Sequence, residues 1–169
     1  MEAPIDKSES LLVVLDMNGV VLEIGSGRKS GQPKLKEGVV ELYEWLSRHS
    51  DSVEHCFWTS RAPQRATECL AVLRRELEQR GVSWIEPLFV LNRDHCLKVA
   101  DFKTVKDLRR IWNNRAPQYG PHNTVVFDDS PDKLAHQPEC LLGCGTPDFV
   151  KALEDWLAAS ATARRNGKN

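Results

Sequence analysis

The stretch Val13 to Val21, "VVLDMNGVV", admits two readings that lead to different proteins. Asn18-Gly19 between apolar runs is a strong local signal for a tight β-hairpin turn, because both residues tolerate the positive φ that such turns demand. The other reading is chemical: a buried strand that ends on an acidic nucleophile, Asp16, followed by a loop. The residues upstream favour the second. Leu11 to Leu15 are continuously apolar and do not alternate, as in a strand covered on both faces of a parallel sheet.

The same pattern repeats along the chain. After a Gly- and Ser-rich stretch whose Arg28, Lys29, Lys34 and Lys36 read as a solvated loop rather than a phosphopeptide clamp, Val39, Leu42, Tyr43 and Leu46 recur at helical spacing. This predicts a helix starting just after Pro33. A second apolar run, Val53 to Trp58, stops at Thr59-Ser60-Arg61, and Ala66, Leu70, Leu73 and Leu77 then mark a helix closed by Gly81. A third strand is expected across Trp84 to Leu91. Thr104 and Asp107 have capping-box spacing and predict a helix over 104–114, buried through Val105, Leu108, Ile111 and Trp112. Thr124 to Phe127 is a further buried strand that runs into Asp128-Asp129-Ser130-Pro131, where Pro131 suits a helix start. Phe149, Val150, Leu153, Trp156 and Leu157 give the last amphipathic helix. Strands alternating with helices imply an α/β fold, a mostly parallel sheet between helices.

A chain of 169 residues fits one such domain, here expected over 10–160, with flexible ends at 1–9 and 161–169. Lys plus Arg total 23 against 24 for Asp plus Glu, so no overall field gathers nucleic acid or an anionic membrane. No leader pattern and no membrane-length apolar run occur, which leads us to expect a soluble intracellular monomer, with nucleus and cytoplasm undecided. Five cysteines in no C-x2-C arrangement read as reduced thiols rather than as a zinc site.

Ligands of open parallel sheets bind at the carboxyl ends of the strands. Here those ends carry Asp16, Thr59-Ser60 and Asp128-Asp129. Several carboxylates converging at the mouth of an apolar sheet repel and lose hydration, at roughly several kcal/mol per uncompensated charge. A hard divalent cation with oxygen ligands, Mg²⁺, is the simplest remedy, and it commonly brings a substrate phosphate with it. The chemistry that suits these residues is phosphoryl transfer.

Asp16 in "LLVVLDMNGV", Thr59 in "CFWTSR", Lys106 in "TVKDL" and Asp128-Asp129 in "TVVFDDSP" resemble the four ordered motifs of the haloacid dehalogenase (HAD) superfamily of phosphotransferases. With "QPKLKEGVVELYEWL" and "NRDHC", the chain more narrowly resembles the branch of phosphatases acting on the RNA polymerase II C-terminal domain, also called NLI-interacting-factor-like. The resemblance covers about 11–157. It implies a single Rossmann-like domain with no large cap, open to phosphorylated protein or peptide substrates. It also implies roles: Asp16 as the nucleophile forming an aspartyl-phosphate, and Thr59 hydrogen-bonding the phosphoryl oxygens beside Ser60 and Arg61. Lys106 would neutralise charge on those oxygens. Asp16, Asp128 and the carbonyl of Asn18 would hold Mg²⁺, supported by Asp129.

One part departs from the family pattern. The second motif-one aspartate, which shuttles the proton, is replaced by Asn18, whose amide donates a hydrogen bond but cannot exchange a proton near neutrality. General acid-base catalysis contributes roughly 10²- to 10⁴-fold. The expectation is a Mg²⁺-dependent phosphoserine or phosphothreonine phosphatase weakened at Asn18, the alternative a pseudophosphatase that binds phosphopeptides or proteins without turnover. A third possibility is chemical repair: Asn-Gly pairs deamidate spontaneously, which would restore a carboxylate at this position.

Overall fold

The computed structural model describes residues 10–25, 31–144 and 148–166. The expected flexible N-terminus and the stretch containing Arg28 and Lys29 lie outside the described residues. Nine strands and four α-helices are found among those described: β1 (Leu11–Leu15), β2 (Leu22–Glu23), β3 (Lys34–Leu35), α1 (Val39–Arg48), β4 (Val53–Trp58), α2 (Pro63–Gln79), β5 (Val90–Leu91), β6 (Leu97–Ala100), β7 (Lys103–Val105), α3 (Arg109–Asn114), β8 (Thr124–Phe127), β9 (Leu141–Gly143) and α4 (Phe149–Asn166).

Five strands form one sheet in the order β5-β4-β1-β8-β9, and every pairing in it is parallel. β1 is the central strand and is buried along its whole length, which explains its unbroken apolar sequence and disposes of the hairpin reading. Side chains alternate between two cores. Leu11, Val13 and Leu15 pack with Phe57 and Phe127 against Leu42, Leu73 and Leu153 of α1, α2 and α4. Leu12 and Val14 pack with Trp58 and Val126 against Leu108 and Ile111 at α3. The sheet is therefore layered between helices, as the sequence pattern requires. Among the described residues no large cap covers its carboxyl edge. No helix of the described residues is long and apolar enough to cross a membrane.

Five local expectations are corrected. The first helix begins at Val39 rather than after Pro33, because Lys34–Leu35 pair with Leu22–Glu23 in an antiparallel ribbon and Gly38, at φ 82°, turns the chain left-handed just ahead of the helix. The strand expected over Trp84 to Leu91 shrinks to Val90–Leu91, which pair with Phe57 and Trp58, since Pro87 has no N–H to offer a ladder. The helix expected over 104–114 starts only at Arg109; Thr104 and Val105, both β-branched, pair instead with Lys98 and Leu97 in the β6–β7 hairpin. Pro131 opens a short 3₁₀ turn, Pro131–Leu134, rather than an α-helix. The last helix runs on to Asn166, beyond the boundary expected at 160. All five cysteines are free thiols.

Candidate active site

Each side chain singled out as chemical follows directly on a strand: Asp16 after β1, Thr59 after β4, Lys106 after β7 and Asp128 after β8. Register brings the first and last together. Leu15 pairs with Phe127, and the N–H of Asp16 donates to the carbonyl of Phe127 at 3.0 Å, so both carboxylates emerge at the same level. Thr59 is fixed from the other side, its N–H donating to the carbonyl of Leu91 at 3.0 Å.

Lys106 joins the two acids. Its Nζ donates to Asp128 Oδ2 at 2.6 Å and to Asp16 Oδ1 at 3.1 Å, with Lys106 and Asp128 each only 1% exposed. Burial opposes the charge on Lys106, but the two carboxylates against it prevail and raise its pKa. For Asp16 burial dominates and pushes the carboxyl up to about 6; Lys106 pulls down and Asp128 pushes up. The lysine is not in the first turn of a helix, where the sequence placed it, but at the end of a hairpin strand, with its N–H held by the carbonyl of Lys133 at 2.7 Å.

Carboxylate oxygens of Asp16, Asp128 and Asp129 lie within 4.8 Å of one another. One lysine balances only one of three carboxylates, so a fully ionised cluster is short of two positive charges. An all-oxygen donor set with that deficit fits a hard divalent cation.

A cleft of about 240 Å³ is lined by Asp16, Asn18, Thr59, Ser60, Arg61, Asp128 and Asp129, together with Ser130 and Lys133. All the side chains that the sequence singled out thus meet at one place, with Lys106 buried beneath the acids. Thr59 Oγ1 accepts the N–H of Arg61 at 3.2 Å, which leaves its hydroxyl proton free to donate. Asn18 Oδ1 accepts the N–H of Ile24 at 3.2 Å, so its free amide hydrogens are the part of the side chain left to act. Gly19, at φ 80°, lets the loop pass Asp129.

Sequence reasoning missed Lys133, whose Nζ donates to Thr104 Oγ1 at 2.7 Å, and the network behind Lys106. There Asp107 accepts from Arg109 Nη2 at 2.6 Å and from Gln137 Nε2 at 3.0 Å, while Gln137 Oε1 accepts the N–H of Leu108 at 3.0 Å. These bonds clamp the turn that carries Lys106. The charged contact with Arg109, helped by Gln137 and His136, holds the Asp107 carboxyl well below the usual range against the opposing effect of burial.

The family model described as NLI interacting factor-like phosphatase matches residues 11–155. No curated protein matches the chain. Among solved structures, the chain is similar to the fission yeast RNA polymerase II CTD phosphatase Fcp1, a single-residue variant bound to beryllium fluoride, with a TM-score of 0.50 and 17% identity over 85% of this chain and 44% of that one. It is also similar to the N-terminal part of protein BF1531 from Bacteroides fragilis, containing a phosphatase domain complexed with Mg, with a TM-score of 0.46 and 15% identity over 90% of this chain and 41% of that one. The chain spans less than half the length of either. At these identities the likeness to solved structures concerns the fold alone.

Proposed function

Because the chain belongs to the NLI interacting factor-like phosphatase family, we propose that it is a Mg²⁺-dependent phosphatase of phosphoserine or phosphothreonine proteins, acting through an aspartyl-phosphate on Asp16 and slowed by Asn18. The observation that carries this reading is the contact of Lys106 with both Asp16 and Asp128 beneath an open cleft rimmed by Thr59.

In the first step an oxygen of Asp16 attacks phosphorus, the bond to the ester oxygen breaks, and the serine or threonine leaves. Lys106 keeps Asp16 ionised and offsets charge on the transferring oxygens, and Thr59 donates to one of them. Ser60 and Arg61 complete that side of the phosphoryl pocket. The leaving oxygen takes its proton from solvent, since Asn18 can only donate a hydrogen bond to it. Water then attacks the aspartyl-phosphate, releasing phosphate and restoring Asp16. Asp16, Asp128 and the Asn18 carbonyl, with Asp129 in support, would hold Mg²⁺, which when bound supplies positive charge at the reacting phosphate. The absence of a large cap among the described residues suits a folded or extended protein substrate. The partner is a phosphorylated protein or peptide, not nucleic acid or membrane, and the working form is a single domain that acts as a monomer.

A second reading has its own support. Asn18 is tied to Ile24 and has no group that can give up or take a proton near neutral pH, as befits a module that grips a phosphopeptide without turnover. Hydrolysis of an aryl phosphate with and without Mg²⁺ separates the two, using wild type, Asn18→Asp and, as blank, Asp16→Asn. Activity of wild type above the blank, with a gain of roughly a hundredfold in Asn18→Asp, supports the phosphatase. Silence in both, with Mg²⁺-dependent phosphopeptide binding, supports the binding module.

A further inference from the structure

Beside the cleft runs a separate groove of about 420 Å³ along the outer face of α2. Arg61 lines both spaces and so stands at the border between them. Farther along the groove come Arg65 and Arg75, over a floor that includes Cys69 and Val72. The spacing from Arg65 through Cys69 and Val72 to Arg75 keeps these side chains on one helical face.

Charge in the groove is one-sided. Its one lining carboxylate among the described residues is Glu68, which takes a single contact from Arg65 at 2.7 Å. Arg75 donates to the neutral Gln32 at 3.2 Å and stands 3.7 Å from Glu76. Arg61 makes no ion pair among the described residues. Three guanidiniums against Glu68 and a Glu76 that Arg75 shares with Arg80 leave a positive surplus over an apolar floor, which complements an acidic peptide.

Resting on the phosphatase reading above, we infer that this groove is a second anion subsite. It seats acidic side chains, carboxylate or phosphate, of the same phosphopeptide whose phosphoserine or phosphothreonine enters the Asp16 cleft. Helical rise puts Arg65 and Arg75 roughly 15 Å apart along α2, and Arg61 stands just ahead of the helix start at Pro63. An extended peptide advances about 3.3 Å per residue, so acids facing Arg65 and Arg75 stand about four or five residues apart, a separation met by positions about two and about six residues from the reacting one.

The test is fluorescence polarisation of wild type with labelled phosphoserine peptides that differ only at those two positions, on either side: alanine, glutamate or phosphoserine. Glutamate and phosphoserine peptides are expected to bind roughly tenfold more tightly than the alanine peptide at low salt, the advantage shrinking at high salt. Comparing the two acidic peptides tells carboxylate from phosphate. The double variant Arg65→Glu/Arg75→Glu should lose or invert the preference; Arg65→Gln/Arg75→Gln serves if charge reversal disturbs the fold. Equal affinity of wild type for all peptides, an unchanged preference in the variants, or equally tight binding of an oligouridylate overturns the inference. Aryl phosphate hydrolysis by the same preparation reports on the cleft alone. Hydrolysis without acidic preference sinks the groove and leaves the phosphatase, whereas acidic preference without hydrolysis keeps the groove and favours the binding module.

Discussion

A Cβ on Gly19 would stand 2.1 Å from Oδ2 of Asp129, closer than any real contact, and the backbone there is already at φ 80°. Gly19→Ala therefore meets two penalties, roughly 1–2 kcal/mol for the left-handed backbone and a displaced Asp129. The expected outcome is a lower melting temperature together with a roughly hundredfold loss of phosphatase activity in the Asn18→Asp background, where signal is largest. Unchanged activity would show that Asp129 has no part in the site.

The peptide nitrogen that must attack the Asn18 side chain during deamidation is the N–H of Gly19, and it donates to the carbonyl of Leu22 at 2.8 Å. The folded loop thus protects an Asn-Gly pair whose sequence alone suggests instability. Intact-mass analysis should find Asn18 unconverted after long storage of folded protein and rapidly converted in denaturant. Equal rates in both states would mean that this hydrogen bond offers no protection.

Removing the Lys106 charge with Lys106→Met leaves Asp16 and Asp128 facing each other in a buried setting. Breaking such a cluster costs roughly 3–5 kcal/mol. Mg²⁺ should recover part of that loss, because on the proposed reading it would bind the folded state through the same oxygens, so the variant's melting temperature should respond to the metal more than wild type does. Melts in Mg²⁺ and in EDTA check this. No response in either protein would argue against a cation at the acidic cluster.

His55 supplies a pH dependence. It is buried between Tyr43 and Phe57, and burial pushes its pKa down to about 4 from 6.5. Between those values the unfolded chain binds the proton and the folded one does not, so stability falls as pH drops from 6.5 towards 4, by about 3 kcal/mol in all. Asp16, raised to about 6, works in the opposite sense over the same range. Comparison with His55→Phe isolates the histidine: the stability of wild type relative to the variant should fall by about 3 kcal/mol from pH 7.5 to pH 4, measured by urea unfolding.

Asp107→Asn should unlock the turn behind Lys106. The depressed pKa of Asp107 means that its contribution is present above its ordinary value and lost as acid protonates it. At neutral pH the substitution is expected to cost roughly 2 kcal/mol and to weaken turnover by misplacing Lys106. Unaltered kinetics would make the network structural only.

The site was legible because Asp16, Thr59 and Asp128 each end a short buried run, and a sheet covered on both faces leaves no alternating polar positions to confuse the reading. Asp16, Thr59 and Asp128 could be placed at strand ends without knowledge of any partner. Lys106 was seen but seated on the wrong element, since Thr104 and Asp107 fit a cap locally and only pairing with Leu97 and Lys98 decides for a hairpin. Gln137 has no local signal at all: its role depends on meeting Asp107 across 30 positions of the chain. The α2 arginines look like an ordinary solvated face until the fold sets Arg61 at the edge of the cleft.

β1 and β8 lie more than one hundred positions apart in the chain, yet the register of Leu15 with Phe127 creates the acidic cluster. Such a distant pairing carries a large loop-closure cost and tends to complete late in folding. Contacts made after the rate-limiting barrier govern how slowly a protein comes apart rather than how quickly it assembles. Whatever ion or phosphate occupies the mouth between these strands would then act as a clasp on lifetime, lengthening the native state's persistence while leaving its rate of formation nearly untouched.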